Sequence, residues 1–470
     1  MNPLVVDLDG TLTRSDLLFE SVCALLKRNL LYFLLLPFWL IGGKAQLKRK
    51  IADRADIEVK LLPWNQEFLA WLREQKAAGR TLVLATASDA KYAQAIADHL
   101  GIFDQVIASD GQNNMSGSDK LQAVQVLFPG QAFDYAGNAP IDRVIWQEAQ
   151  QAIVVNPIGG AAATAASVSS VAATFDDRGS TVKAFVRAIR PHQWLKNSLV
   201  FVPLVLSQNI TDWPLVLQSV LAFIAFSVCA SSVYLLNDLL DLSADRKHPR
   251  KHKCPFAAGD LSLLTGGLGV AGLTVLACAV AVFLPLGFLI ALSCYYFMTL
   301  AYSTVLKRAA LVDVLVLAAL YTMRLIAGAF AIEVEASFWL LAFSMFTFFS
   351  LALIKRYSEL LAQVALGRDR VAGRGYQDID LILIGQMGIT SGYLAVMVLA
   401  LYIDSDVVQL MYKTPQALWL LCPIMLYWMS RLWLLTRRGE MHDDPIVFTI
   451  QDRRTHWLAV VGALCLWAAM

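Results

Sequence analysis

From about residue 194 onward the chain is a succession of apolar stretches, most of them near the ~20 residues a helix needs to cross hydrocarbon, whereas the first 155 residues hold none of that length. That division constrains the fold more than any total. One part must satisfy its backbone in water, and the other must do so as helices in lipid. Composition agrees: 57% hydrophobic and 16% charged residues with a mean hydropathy of +0.55 exceed what a soluble domain normally carries. The chain reads as an integral membrane protein with a water-compatible N-terminal domain.

Nine spans are expected, at about 194–208, 214–237, 262–284, 286–304, 311–332, 337–354, 379–403, 416–435 and 456–470. The net charge of +2 says little, but the placement of charge says more. Lys and Arg gather at 246–253, 307–308, 355–374 and 437–454, which are alternate loops, and the loops between them hold only Lys413. The alternate loops are therefore expected on the cytoplasmic side. Met1 leads at once into Pro3-Leu4-Val5-Val6-Asp7 rather than into a basic segment ahead of an apolar one, so the N-terminus is expected on that side too. The seven Cys form no C-x-x-C pair, which argues against a zinc site or a disulfide framework.

Residues 237–245 read N-D-L-L-D-L-S-A-D, after an apolar run and before Arg246, Lys247, Arg250, Lys251 and Lys253. If the helix continues through them, Asp238, Asp241 and Asp245 lie on one face. Carboxylates this close to hydrocarbon call for a cation.

In the soluble part, a short strand runs into Asp7-Leu8-Asp9-Gly10-Thr11, where two carboxylates two residues apart can share Mg2+ while one stays free to attack phosphorus. A second strand ends at Ala85-Thr86-Ala87-Ser88, whose hydroxyl and following amides suit a phosphate. Lys120 offers a point charge, and a last strand leads to Gly137-Asn138 and Asp142. In this order the motifs resemble the haloacid dehalogenase (HAD) phosphatase family over residues 1–158. The resemblance implies an α/β Rossmann-like fold with a small helical cap. It also implies Asp7 as phosphoryl-accepting nucleophile, Asp9 as general acid/base, Thr86 and Lys120 on phosphate, and Asn138 and Asp142 at the metal end. The family usually has Asp where this chain has Asn138, and an amide ligates Mg2+ without charge. Within the cap, the twelve apolar residues Leu30–Ile41 lie between Lys27-Arg28 and Lys44, Lys48, Arg49 and Lys50. They are too short to span a bilayer, and two placements are open, in the cytoplasmic interface or as a buried cap helix.

Residues 159–186 are expected as a flexible linker, because 159–174 carry no charge and only small or β-branched side chains. Beyond it, R-P-x-x-W-x-K-N from Arg190, the N-D-x-x-D-x-x-x-D stretch, and Tyr302 with Lys307 and Asp313 resemble the UbiA prenyltransferase superfamily over 187–470. The resemblance implies an all-α membrane domain of nine helices, with Mg2+ held by Asn237, Asp238, Asp241 and Asp245 on a diphosphate. Ordinary aromatic prenyltransferases carry a second D-x-x-x-D, but here Asp313 is followed by Leu317 and then Arg324. Basic residues gather instead, in K-R-Y-x-E-L from Lys355-Arg356 and in R-G-E-M-x-D-D-P from Arg438. More cations and fewer acids suit a substrate with more phosphate.

Together these motifs resemble the decaprenyl-phosphate phosphoribosyltransferase branch. The branch implies transfer of 5-phosphoribose from phosphoribosyl diphosphate (PRPP) to polyprenyl phosphate, with Lys196, Lys253, Lys355 and Arg356 clamping phosphates and Asp313 and Arg324 orienting ribose or acceptor. The fused phosphatase would then remove the 5-phosphate. Expected partners are PRPP, polyprenyl phosphate and membrane lipids, with Mg2+ at separate sites in the two domains and no nucleic acid; an oligomer is allowed. The expected location is the bacterial inner membrane with the active sites cytoplasmic. Three alternatives stand: prenylation of an aromatic acceptor from an isoprenyl diphosphate, a phosphatase serving a separate phosphate ester, and a non-enzymatic membrane scaffold.

Overall fold

Three consecutive apolar residues, Leu4–Val6, form β1 at the centre of a six-stranded parallel sheet. The others are β2 (Leu82–Asp89), β3 (Gln105–Ser109), β4 (Asp134–Gly137), β5 (Gln151–Val155) and β6 (Ser170–Phe175), in the order β3-β2-β1-β4-β5-β6. The computed structural model describes residues 1–367, 374–441 and 444–469. Its chain divides into two compact units, Met1–Pro191 with Tyr234–Gly272, and His192–Val233 with Leu273–Met470.

In the first unit, period-2 alternation sends neighbouring strand residues to opposite faces. Leu4, Val6, Leu82, Leu84 and Ile153 pack with Phe68, Tyr92 and Ile96 on one side, and Val5, Val83, Tyr135, Ala152 and Val154 with Val124, Ile145 and Trp146 on the other. Burial on both faces is what a parallel sheet requires. Val6 pairs with both Leu84 and Ala136, so the loops after β1, β2 and β4 open along one edge. Between β1 and β2 a small helical cap comprises Leu17–Arg28, Leu30–Leu34, Leu36–Ile41 and Lys44–Ala52.

The expected flexible linker at 159–186 is not flexible chain. Ala161–Val168 is a helix that buries Ala161 and Ala165, and β6 pairs in parallel with β5. Small residues let that helix lie close on the sheet, and the β-branched run after it completes the edge.

Among the described residues, seven helices are long and apolar enough to cross a membrane, where nine were expected. They are Trp213–Leu240, Leu263–Ala281, Leu286–Thr304, Val312–Ala331, Phe338–Ala365, Asp378–Ile403 and Pro415–Arg437. The two outermost expected spans are not among these seven. Residues 194–208 form a 3-10 segment, Pro191–Phe201, and a short helix, Val202–Leu206, because Pro203 and the buried, hydrogen-bonded Asn197 interrupt any uniform apolar rod. The 3-10 segment also runs against helix Val312–Ala331 at Gly328, where a Cβ would stand 2.2 Å from the Val200 carbonyl oxygen. The last helix, Arg453–Ala469, opens on the polar run Arg453-Arg454-Thr455-His456. The seven apolar helices make the chain an integral membrane protein.

Residues 368–373 of the expected basic loop, and His442 and Asp443 of R-G-E-M-x-D-D-P, lie outside the described residues.

Candidate active sites

The turn after β1 brings the sequence-predicted phosphatase residues together. Lys120 Nζ stands 2.7 Å from Asp7 Oδ1 and 3.1 Å from the Tyr135 hydroxyl, which donates at 2.9 Å to Asp142 Oδ1. The backbone N–H groups of Asn138 and Ala139 donate to Asp142 Oδ2 at 3.1 and 3.0 Å, so Asp142 is fixed as the residue that shapes the loop after β4. Asp9 Oδ1 accepts from the Leu17 N–H at 2.8 Å, and its Oδ2 accepts from Ser88 Oγ at 2.7 Å and Thr86 Oγ1 at 3.3 Å. Gly10, at φ +75°, lets the Asn138 amide lie against the motif.

Asp7, Lys120 and Asp142 are buried and Asp9 is half-buried, and this withdrawal from water sets their charge. It raises the Asp7 carboxyl to about 7, with Asp142 and Asp9 adding to the rise and Lys120 opposing it. Burial, with Asp16, raises Asp9 to about 6 against the hydrogen bonds from Leu17 and Ser88. Burial also works against the Lys120 ammonium, but Asp7 and Asp142 outweigh it and hold its pKa above the usual lysine value. Two carboxylates whose ionisation is costly, with an amide oxygen close by, form an oxygen-donor set that fits Mg2+.

Sequence reasoning missed three residues here. Ser88 shares Asp9 with Thr86, and Tyr135 links Lys120 to Asp142. Lys48, from cap helix Lys44–Ala52, donates to the Ala87 carbonyl at 2.6 Å and to Asn114 Oδ1 at 2.8 Å, beside Thr86 and Ser88. Ser88 was readable in the Ala-Thr-Ala-Ser stretch; nothing in sequence marked Lys48 apart from its basic neighbours.

The acidic stretch belongs to the same unit as the phosphatase fold. The helix does not run through it unbroken: Trp213–Leu240 ends, Asp241 follows, and Leu242–Lys247 resumes. Asp238 and Asp245 are buried while Asp241 is half-buried. Arg190, the first residue of R-P-x-x-W-x-K-N, holds φ +52° ahead of Pro191 and donates to Asp238 Oδ1 at 2.6 Å. Lys251 donates to Asp245 Oδ1 at 3.1 Å, and Lys27 lies 3.6 Å from Asp241 Oδ1. Among the described residues, Asn237 Oδ1 and Asp238 Oδ2 are buried acceptors without a hydrogen-bond donor, which fits a bound cation. Among the described residues, no three His, Cys, Asp or Glu side chains gather to hold a metal by themselves. Amide or substrate oxygens would have to complete either shell. Lys253 is exposed on the following loop.

In the second unit, two clusters form. Lys196 and Lys355 both donate to Asp444 Oδ2, at 2.9 and 3.1 Å. Asn197, next to Lys196, accepts from Arg324 Nε at 2.9 Å, and the buried Arg324 guanidinium also donates to Tyr295 and lies over the rings of Phe226, Tyr295 and Tyr321. Among the described residues, two lysines on one carboxylate with Arg324 adjoining leave this cluster net positive. Asp444 sits in the R-G-E-M-x-D-D-P motif but was not expected in the site.

The second cluster joins Asp313 and Arg356, both expected site residues. Asp313 is fully buried and accepts from Arg356 Nε and the Tyr376 hydroxyl, each at 2.5 Å, with Arg374 3.6 Å away. Arg356 also pairs with Glu359 and donates to the Tyr302 hydroxyl at 2.9 Å. Asp313 and Arg356 therefore occupy one another rather than standing open to substrate, because a buried charge needs its counter-charge inside the protein. Lys307 is half-buried on the turn Leu306–Arg308.

Comparison with known proteins matches residues 198–451 to the UbiA prenyltransferase family and residues 4–139 to haloacid dehalogenase-like hydrolases. The chain is similar to uncharacterized protein y4nM of Sinorhizobium fredii, 36% identical over 98% of this chain and 89% of that one. It is similar to nodulation protein NoeC of Azorhizobium caulinodans, 37% identical over 57% of this chain and 87% of that one. Decaprenyl-phosphate phosphoribosyltransferase of Mycobacterium tuberculosis is 39% identical over 38% of this chain and 61% of that enzyme. Both matched families generally use Mg2+.

Proposed function

The chain belongs to the UbiA prenyltransferase family and carries a haloacid dehalogenase-like hydrolase domain, and from that premise we propose a bifunctional enzyme of the bacterial cytoplasmic membrane. It transfers 5-phosphoribose from PRPP to a polyprenyl phosphate and then removes the 5-phosphate, leaving polyprenyl-phosphoryl ribose. The observation that carries the transferase reading is the enclosure of Asp313 by Arg356 and Tyr376, together with the two lysines on Asp444. A second open acidic site is replaced by a cation-rich one, which suits a donor with an extra phosphate. Similarity to the phosphoribosyltransferase supports the same reading.

In the transfer, a lipid phosphate oxygen bonds to C1 of ribose as the C1–O bond to diphosphate breaks, the electron pair leaving with diphosphate. Lys196 and Lys355, with Arg324 behind them, hold phosphate; Lys253 and Lys307 add charge from their loops. Asp313 and Arg356 act as positioning residues through Tyr302. Asn237, Asp238, Asp241 and Asp245 would hold Mg2+, which supplies charge neutralisation on the diphosphate. No general base is required, since the acceptor phosphate is ionised near neutral pH.

In the hydrolysis, an Asp7 oxygen bonds to phosphorus as the ester P–O bond breaks, and Asp9 gives its proton to the leaving ribose oxygen. Asp9 then takes a proton from water, whose oxygen displaces phosphate from Asp7. Lys120 and Thr86 steady the phosphoryl oxygens. Asp7, Asp9 and Asn138 would hold Mg2+, with Asp142 fixing the loop that carries Asn138.

Full-length protein incubated with PRPP, polyprenyl phosphate and Mg2+ should yield polyprenyl-phosphoryl ribose by mass spectrometry, and Asp7→Asn should stop at the 5-phosphorylated lipid. The same phosphorylated product from both would sink the coupled reading. Radiolabel passing from an isoprenyl diphosphate to an aromatic acid, with none from PRPP, would sink the transferase reading.

A further inference from the structure

The cap segment Leu30–Ile41 is not a buried helix. Among its residues only Trp39 is buried, whereas Leu31, Phe33, Leu34, Phe38 and Ile41 are between 63% and 84% exposed. An apolar face of this size on the water side is unfavourable unless something covers it.

Its attachment points indicate what covers it. The segment continues from helix Leu17–Arg28, and that helix is clamped to the end of a membrane span. Lys27 lies 3.6 Å from Asp241, the residue that follows span Trp213–Leu240. One and a half turns further on, Arg246 makes two hydrogen bonds to the buried Glu20 of the same cap helix, at 2.5 and 3.1 Å. The chain therefore leaves Lys27 at the level where a span meets its loop, and twelve apolar residues follow at once. At ~1.5 Å per residue they cannot cross ~30 Å of hydrocarbon, but they can lie in its boundary. Exposed Arg28 and Lys44 flank them, the charge that anionic head groups attract.

We propose that residues 30–41 lie in the interfacial layer of the bilayer, with Leu31, Phe33, Leu34, Phe38 and Ile41 in the acyl boundary and Arg28 and Lys44 among anionic head groups. The cap is thereby held on the membrane surface. Helix Lys44–Ala52, which begins three residues after the segment, carries Lys48 to the Thr86–Ser88 turn, so the anchored element is also the one that borders the phosphatase cleft. The consequence, which rests on the phosphatase reading, is preference for phosphate esters presented from the membrane.

The test uses the full chain in nanodiscs of phosphatidylcholine and phosphatidylglycerol, with an environment-sensitive fluorescent amino acid at position 38. Blue-shifted emission, quenching by acyl-brominated lipid and protection from aqueous iodide are expected. Iodide quenching without bromolipid quenching overturns the docking. Blue-shifted emission indifferent to bromolipid also overturns it, by showing a second copy or another protein on that face. Phe33→Ser with Phe38→Ser should leave hydrolysis of para-nitrophenyl phosphate unchanged and lower hydrolysis of a membrane-embedded 5-phosphoribosyl lipid about tenfold. Equal effects on both substrates overturn the presentation role. A wild-type protein inactive on both esters overturns the phosphatase reading, and the fluorescence result still decides the docking.

Discussion

A Cβ at Gly10 would stand 2.2 Å from Asn138 Nδ2 on a backbone held at φ +75°. Gly10→Ala should therefore cost about 1–3 kcal/mol and displace the amide, abolishing phosphate-ester hydrolysis while transfer to lipid persists; the two product masses report each activity separately. Asn138→Asp adds a charge where the family usually has one, and the Mg2+ concentration for half-maximal hydrolysis should fall, as a metal titration would show. Cys23, half-buried on the cap helix, tests the surroundings of its thiol by pH. Desolvation, with Glu20, pushes the thiol up to about 12. Iodoacetamide labelling at pH 8 should be slower in the native protein than after denaturation, and equal rates would contradict the raised thiol. At this scale Asp7, Asp9, Asn138 and Asp142 were legible because they follow strands at a chemically meaningful spacing, and Thr86 because an apolar run leads into it. Lys48 was not, because a basic residue in a basic run shows its partner only once the cap closes over β2.

At the scale of elements, the Glu20–Arg246 pair joins the cap helix to helix Leu242–Lys247, which ends the acidic stretch, and both side chains are buried. Removing one partner, as in Arg246→Met, should cost about 3–5 kcal/mol, because it strands a charge away from water. Glu20→Leu combined with Arg246→Met should recover much of that, and thermal unfolding of the detergent-solubilised protein would compare the three. No difference between the single and double variants would mean that the pair is not buried in solution. The elements that departed from expectation did so for related reasons. The 159–174 part of that expected tether has no charge, yet the same small and β-branched residues suit a sheet edge once β5 offers one. The 194–208 stretch reads as a span because it is apolar, yet Asn197 finds Ser227 and Arg324 as buried partners and the segment tightens to 3-10 geometry.

For the whole molecule, the basic loops predict orientation. A periplasm-activated alkaline phosphatase fused near Lys413 should be active, and one fused within 246–253 should be silent; the reverse pattern would invert the chain in the membrane. The sequence by itself determined the two solvents, the parallel α/β domain, the apolar spans and the kinds of charge near each site, since hydropathy and spacing are local properties of a chain. Only the tertiary structure decided which charge faces which. It placed Arg190 on Asp238, enclosed Asp313 with Arg356, set two lysines on Asp444, and left the Leu30–Ile41 face uncovered by protein. The physical reason is that pairings such as that of Lys196 with Asp444 join residues far apart in the chain. Their energies depend on burial and distance, neither of which is written in the local order of residues.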